Sequence, residues 1–314
     1  MTIIDDLHKV FNLKKFTYNK KTINHTDINS FRISTKHLND TNNKIRENII
    51  SAIINNKVPY DYFILNKWFI LKKNISNYIR QLTTKEYSKI ECINKAGRKH
   101  NYDLLIIIYY NDDTSEKFMI ELKFNVSTIE QTPQFVSPMK PSQYLNNSFE
   151  EYYYDNYLHL LSNYSKLQMP SKEEYLKQIH SPKPKCMKAY QELYYKGCHG
   201  SSKFTNISED INFYNLSKEL SNKCIQSFIR NTELNINLLS IYLQNTQKNK
   251  IYMLYSKNKF ILEKINVEEY TIINVSKNPL KYRYECISKT GKQINILLRW
   301  KNGNGIAFPA FQIS

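Results

Sequence analysis

The 314-residue sequence predicts an α/β protein: a mixed central sheet flanked by helices, with a helical insertion and a C-terminal β-rich module. Three observations predict it. Ile45, Ile49 and Ile53 recur at four-residue spacing over residues 41–55, the repeat of a helix with one apolar face. Residues 104–110, LLIIIYY, are apolar at every position, the pattern of a strand buried within a sheet. After a long, mainly helical stretch, short strand patterns separated by turns dominate from residue 250 to the end.

Composition bounds the class. With 41% hydrophobic and 13% aromatic residues, 25 of them Tyr, the chain has the apolar surface that disordered chains lack. It carries 45 Lys and Arg against 28 Asp and Glu, a formal net charge of +17, which draws polyanions toward it. Part of that excess is compositional, because Lys, Asn and Ile are abundant throughout. The five cysteines (Cys92, Cys186, Cys198, Cys224, Cys286) form no CxxC and fit no zinc-ligand spacing. They read as reduced structural thiols of a reducing compartment. The first fifteen residues carry charges too often for a signal peptide, and no apolar run reaches membrane-span length. The expected location is intracellular, in cytoplasm or nucleus, with no membrane partner.

Residues 1–40 are polar and mixed, with a short helix expected over 3–11. The helix over 41–55 has Thr41 near its start as a cap and ends at Asn55-Asn56 before Pro59. Residues 60–82 read as helical or mixed, with Trp68, Phe69, Ile70 and Leu71 supplying core. Strands follow over 87–93, 104–110 and 117–124, the last two joined by the turn cluster Asn111-Asp112-Asp113-Thr114-Ser115. Helices are expected over 149–166, 172–179, 185–196, 214–230 and 233–245. Strands then run over 251–255, 259–263, 270–275, 281–287, 293–300 and 306–313, the last pair joined by Asn302-Gly303-Asn304-Gly305, a hairpin signal. The expected units are an N-terminal segment 1–40, a core 41–165, a helical region 166–249 and the β-rich module 250–314.

The chemistry concentrates on the hairpin. Side chains alternate along a strand, so Glu121 and Lys123 share the face opposite Phe118, Ile120, Leu122 and Phe124. A three-residue loop sets Asp103 across from Glu121, and a five-residue loop sets it across from Lys123. In either register the three share one face. Opposed side chains start about 5 Å apart. Two carboxylates at that separation can share one Mg²⁺, and a nearby lysine can position water and offset charge on a phosphate.

Asp103 followed by Glu121-Leu122-Lys123 on the return strand resembles the PD-(D/E)XK nuclease superfamily, which includes restriction endonucleases. The resemblance covers about residues 41–145. It implies a restriction-endonuclease-like core, Mg²⁺ (or Mn²⁺ in its place) held by Asp103 and Glu121, and Lys123 assisting the attacking water. Tyr102 stands where the family's Pro precedes the Asp. Many members carry a further Glu on a preceding helix, and Glu47 is the candidate here. Arg98, Lys99 and His100 before the Asp are candidates for contact with the cleaved phosphate. Lys140 and Gln143, with Gln134 and Tyr144 nearby, follow the catalytic strand where such enzymes touch substrate. Arg299 and Lys301, with Asn302, could read bases or phosphates. Tyr152, Tyr153, Tyr154 and Tyr157 read as core in preference to a base-stacking platform.

The expected activity is a Mg²⁺-dependent DNA endonuclease with sequence or structure preference, restriction- or homing-like. Such enzymes often act as homodimers so that both strands are cut. A recombination-type exonuclease or resolvase on the same core is the first alternative. A non-catalytic nucleic-acid-binding protein, with Glu121 and Lys123 as a surface ion pair, is the second. A phosphate-binding GxxxxGK[ST] loop is absent, which excludes an ATP-driven motor of that kind, and no HExxH or HNH-like pattern occurs.

Overall fold

The computed structural model describes residues 13–32, 39–95, 100–131 and 140–314, and the chain divides into two units. The first comprises Met1–Thr132 with Thr246–Ile265, the second Pro133–Asn245 with Asn266–Ser314. The first unit is built on a five-stranded mixed sheet in the order β3-β4-β5-β6-β7. Its strands are β3 (Tyr87–Asn94), β4 (Leu104–Tyr110), β5 (Ser115–Phe124), β6 (Lys250–Ser256) and β7 (Lys259–Lys264). Strands β3, β4 and β5 form an antiparallel meander, β6 runs parallel to β5, and β7 returns antiparallel to β6. A small hairpin, β1 (Phe16–Tyr18) and β2 (Lys21–Ile23), precedes the sheet.

Helices α1 (Asn39–Ile54) and α2 (Asn66–Leu82) supply the core of this unit. Ile49, Ile50 and Ile53 of α1, and Trp68, Leu71, Ile75 and Tyr78 of α2, are buried with Leu104, Ile106, Ile108, Ile120, Ile251 and Met253 of the sheet. Phe118, Leu122 and Phe124 pack against the same cluster, which is the apolar face expected for β5. Helix α1 ends where Asn56 adopts a left-handed φ of 53° and the Lys57 N–H returns to the Ala52 carbonyl at 2.8 Å. Asn tolerates that conformation better than most residues, so the Asn55-Asn56 stop has a backbone reason. Asn55 also donates to the Cys92 carbonyl and accepts from its N–H, at 2.7 and 2.8 Å, acting on edge strand β3 as a neighbouring strand would.

Arg46 is fully buried on α1. Its Nε donates to the Ser30 carbonyl at 2.8 Å, as does its Nη2 at 2.6 Å, and its guanidinium lies 3.3 Å from the Phe124 ring centroid. Burial lowers its pKa to about 10, with the Tyr255 interaction opposing the drop. Arg46→Met keeps the stem but leaves that carbonyl without its donors, an expected loss of about 2 kcal/mol. Urea unfolding of the two proteins measures it; an unchanged midpoint would sink the assignment of Arg46 as a structural anchor.

The second unit contains α3 (Phe149–Tyr153), a π-helical turn (Tyr154–Leu158) that leads without a break into α4 (His159–Ser165), then α5 (Lys172–Gln178), α6 (Lys188–Gly197) and α7 (Ser208–Asn231). Helix α8 (Ile236–Gln247) leads back to β6. Strands β8 (Ile272–Asn278), β9 (Arg283–Ser288), β10 (Gln293–Trp300) and β11 (Pro309–Ile313) make an antiparallel sheet in the order β11-β10-β9-β8. Tyr153 is fully buried, with its ring centroid 6.0 Å from that of Tyr157 and 5.2 Å from that of Trp300. The Tyr cluster thus contributes to core, as its sequence setting suggests. Gly305 has a φ of 73°, and a Cβ there would lie 1.9 Å from the Tyr153 hydroxyl, so both backbone and space demand glycine.

Several expectations are corrected. The expected module over 250–314 is divided: β6 and β7 complete the first sheet, and β8 to β11 form another. The expected core over 41–165 loses its last part, since α3 and α4 belong to the second unit. Local periodicity identifies strands and helices but not their distant partners. The β1–β2 hairpin went unread because its turn, Asn19-Lys20 with φ of 48° and 60°, lacks the usual glycine. Thr41 lies inside α1 and does not precede it. The 301–308 connection is longer than a tight hairpin turn and mostly buried: Gly303, Gly305, Ile306, Ala307 and Phe308 are all buried. The helix expected over 3–11 falls outside the described residues. Among the described residues, no helix is long and apolar enough to cross a membrane.

Candidate active site

The hairpin of β4 and β5 pairs Leu104 with Ile120 and Tyr109 with Ser115, so Asp103, one step before β4, falls across from Glu121. Of the two registers the sequence allows, this is the three-residue loop. Asp113 closes it with a left-handed φ of 62°, and the Tyr110 N–H reaches the Thr114 carbonyl at 2.9 Å. The alternation of the pleat then places Asp103, Glu121 and Lys123 on one face. Strand β5 is the middle strand of five, so this face lies at the centre of the sheet.

Asp103 is half-buried. Its Oδ2 accepts from the Leu122 N–H at 2.8 Å. Burial, then the Glu121 carboxylate, push its pKa up to about 6, against the Leu122 hydrogen bond and the charges of Lys123 and Lys250. Glu121 is ion-paired on both oxygens: Lys123 Nζ lies 2.7 Å from Oε1 and Lys250 Nζ lies 3.4 Å from Oε2. Helix α1 brings Glu47 into the same field. Burial raises its pKa to about 8, and the charges of Asp103 and Glu121 add to the rise while Lys44 opposes it. Three carboxyl groups from one helix and two strands therefore influence one another, with Lys123 among them.

Lys250 is the residue that sequence reasoning missed. It opens β6 opposite Met119, and in a parallel pair such partners share a face, so it joins Glu121 and Lys123. Its side chain is only 4% exposed, and burial lowers its pKa while Glu121 pulls it back up. A charged residue at the head of the apolar run IYMLY was the available signal, but its place depends on pairing with a strand far earlier in the chain.

The remaining candidates divide. His100 is exposed, with its ring centroid 5.4 Å from that of Tyr102. Arg98, Lys99 and Gln134 lie outside the described residues. Lys140, Gln143, Arg299 and Lys301 belong to the second unit, not to the sheet that carries Asp103. Lys140 and Gln143 are exposed beside a short 3-10 turn, while Tyr144 is buried with its ring 5.4 Å from that of Tyr242. Arg299 is exposed on β10 and its Nη1 donates to Gln312 at 2.6 Å. Lys301 is half-buried, its Nζ 5.5 Å from the Phe308 ring centroid. Asn302 is half-buried and donates to the Pro182 carbonyl at 3.1 Å, bracing the buried connection.

Among the described residues, no group of three or more His, Cys, Asp and Glu side chains is gathered as a metal centre. Both oxygens of Glu121 are turned to lysines. The donor chemistry nevertheless suits a hard cation: carboxylate oxygens from Asp103 and Glu121, with Glu47 in their field, are the ligands Mg²⁺ prefers. Such a cation would relieve the mutual repulsion of these groups. No family model matches the sequence, and no curated protein or solved structure matches it.

Proposed function

We propose that the protein is a Mg²⁺-dependent DNA endonuclease with a restriction-endonuclease-like core, in the manner of the PD-(D/E)XK nucleases its hairpin resembles. The observation that carries this reading is the placement of Asp103 opposite Glu121, with Lys123 on the same face of the middle strand. The order of the first unit supports it: a helix carrying Glu47, an antiparallel meander carrying the Asp and Glu-Leu-Lys, then a crossover to a parallel strand. The net charge of +17 suits a polyphosphate substrate.

Asp103 and Glu121 would hold the ion, with Glu47 as a further carboxylate close by. When bound, the ion lowers the pKa of a coordinated water and stabilises negative charge on the phosphate. Lys123, held by Glu121, is placed to orient the attacking water and to offset charge growing on the scissile phosphate. The buried sheet beneath supports the strands that carry these groups.

The test is cleavage of supercoiled plasmid in Mg²⁺ and in EDTA. An endonuclease nicks or linearises the closed circle only with metal, whereas a recombination-type exonuclease spares it and degrades linear DNA. One observation favours a second reading, a nucleic-acid-binding protein without catalysis. Glu121 bound between two lysines is also what a structural ion cluster looks like. That reading expects binding indifferent to Mg²⁺ and no strand scission on DNA or RNA.

A further inference from the structure

Glu121 accepts a cation on each oxygen, and the two cations differ in kind. Lys123 sits on the same strand two residues on, with 16% of its side chain exposed. Lys250 reaches in from β6 with 4% exposed. Lysine is seldom buried so completely unless it is paired, because removing an ammonium from water costs several kcal/mol. Glu121 is its ion-pair partner here, and Asp103 lies within its field. The ring of Tyr252, with its centroid 5.6 Å away, gives the ammonium a second, weaker support. Lys250 therefore takes Oε2 of the Glu121 carboxylate while Lys123 takes Oε1, on the face where Asp103 also stands.

Resting on the nuclease reading, we propose that Lys250 is a positioning residue of the same centre: its ammonium serves as an internal counter-cation for Glu121, and a divalent ion gains Oε2 only by displacing it. The two lysines balance the charge of Asp103 and Glu121, which lets carboxylates be crowded on the central strands without an external ion. The same balance weakens metal binding, since the incoming ion must break an ion pair that is shielded from solvent. Lys250 thus sets the Mg²⁺ concentration at which the centre fills. A lysine whose only task was to hold β6 against β5 would leave that concentration unchanged.

The experiment titrates Mg²⁺ against the thermal unfolding midpoint of the full chain, a readout that needs no substrate. The wild type should gain stability with Mg²⁺ along a saturable curve. Lys250→Met, which keeps the length of the stem, should unfold at a lower temperature in EDTA. It should also reach half-saturation at about tenfold lower Mg²⁺, the size of one hydrogen bond to a charged group. Lys250→Arg, which keeps the charge, should stay near the wild-type half-saturation. Should Lys250→Met not fold, Lys250→Gln retains a donor toward Oε2 without the charge and carries the same expectation. Half-saturation unchanged or raised in the neutral variants overturns the role of Lys250 while leaving the nuclease reading standing. A wild type whose midpoint ignores Mg²⁺ removes the metal site itself, and the inference with it.

Discussion

Asp103→Asn and Lys123→Ala should each lower Mg²⁺-dependent plasmid cleavage by about a thousandfold, the usual consequence of removing one charge-stabilising group from such a centre. The two losses have different origins. Asn has the shape of Asp and its side-chain oxygen can still accept from the Leu122 N–H, but it brings no charge to hold a cation. Lys123→Ala leaves the carboxylates in place and removes the ammonium beside Glu121. Asp103→Asn also relieves the repulsion with Glu121, so it should be no less stable than the wild type in EDTA. Loss of activity then cannot be attributed to unfolding. Initial rates of nicking, read beside thermal midpoints of the same preparations, check both parts. If either variant keeps a tenth of the wild-type rate, the centre has been placed on the wrong residues.

Glu47→Gln should make the metal-free protein more stable at pH 8 and above by about 3 kcal/mol, while changing little at pH 4. The carboxyl of Glu47 has a pKa of about 8 in the fold against an ordinary value of 4.5. Between these values the folded chain keeps a proton that the unfolded chain has released, so stability falls as pH rises. The stabilising contribution is complete below pH 4.5 and is gone once the pH has passed through 8. The whole interval corresponds to at most about 5 kcal/mol at 1.36 kcal/mol for each pH unit, and relaxation around the charge reduces it. Urea midpoints from pH 4 to pH 9 in EDTA measure the slope. The wild type should lose stability across the window and Glu47→Gln should not share that loss; parallel curves would place the Glu47 carboxyl in water.

The three-residue motif was legible because strand alternation is indifferent to the loop. Three or five residues in the turn leave Asp103, Glu121 and Lys123 on one face, so the face could be read without the register. The pairing of Leu104 with Ile120 and the turn at Asp113 then settle which loop is used. Glu47 was legible as a polar residue bordering the apolar stripe of α1. Lys250 was not. Its position follows from a parallel pairing, and no local pattern reports which of the later strands lies beside β5. The same blindness merged β6 and β7 with β8 to β11, since consecutive short strands do not report which sheet each one joins. The connection after Trp300 was misread for a related reason: Gly303 and Gly305 signal a turn, but the need for glycine at position 305 comes from Tyr153, far away in sequence.

The strand order has a consequence for biosynthesis. Strands β5 and β6 are sheet neighbours, yet the intervening chain includes α3 through α8. Contacts between such distant segments form late, because the loop entropy must be met before the pairing can compensate for it. A nascent chain that has emerged only as far as α8 holds Asp103, Glu121 and Lys123 on an unfinished sheet, with Met119 to Phe124 lacking the neighbour that flanks them in the finished molecule. Ribosome-bound intermediates should therefore be inactive toward DNA until residue 250 and its strand have cleared the exit tunnel. On the proposed nuclease reading, activity would be withheld until synthesis of the second unit is well advanced, with no separate inhibitor required.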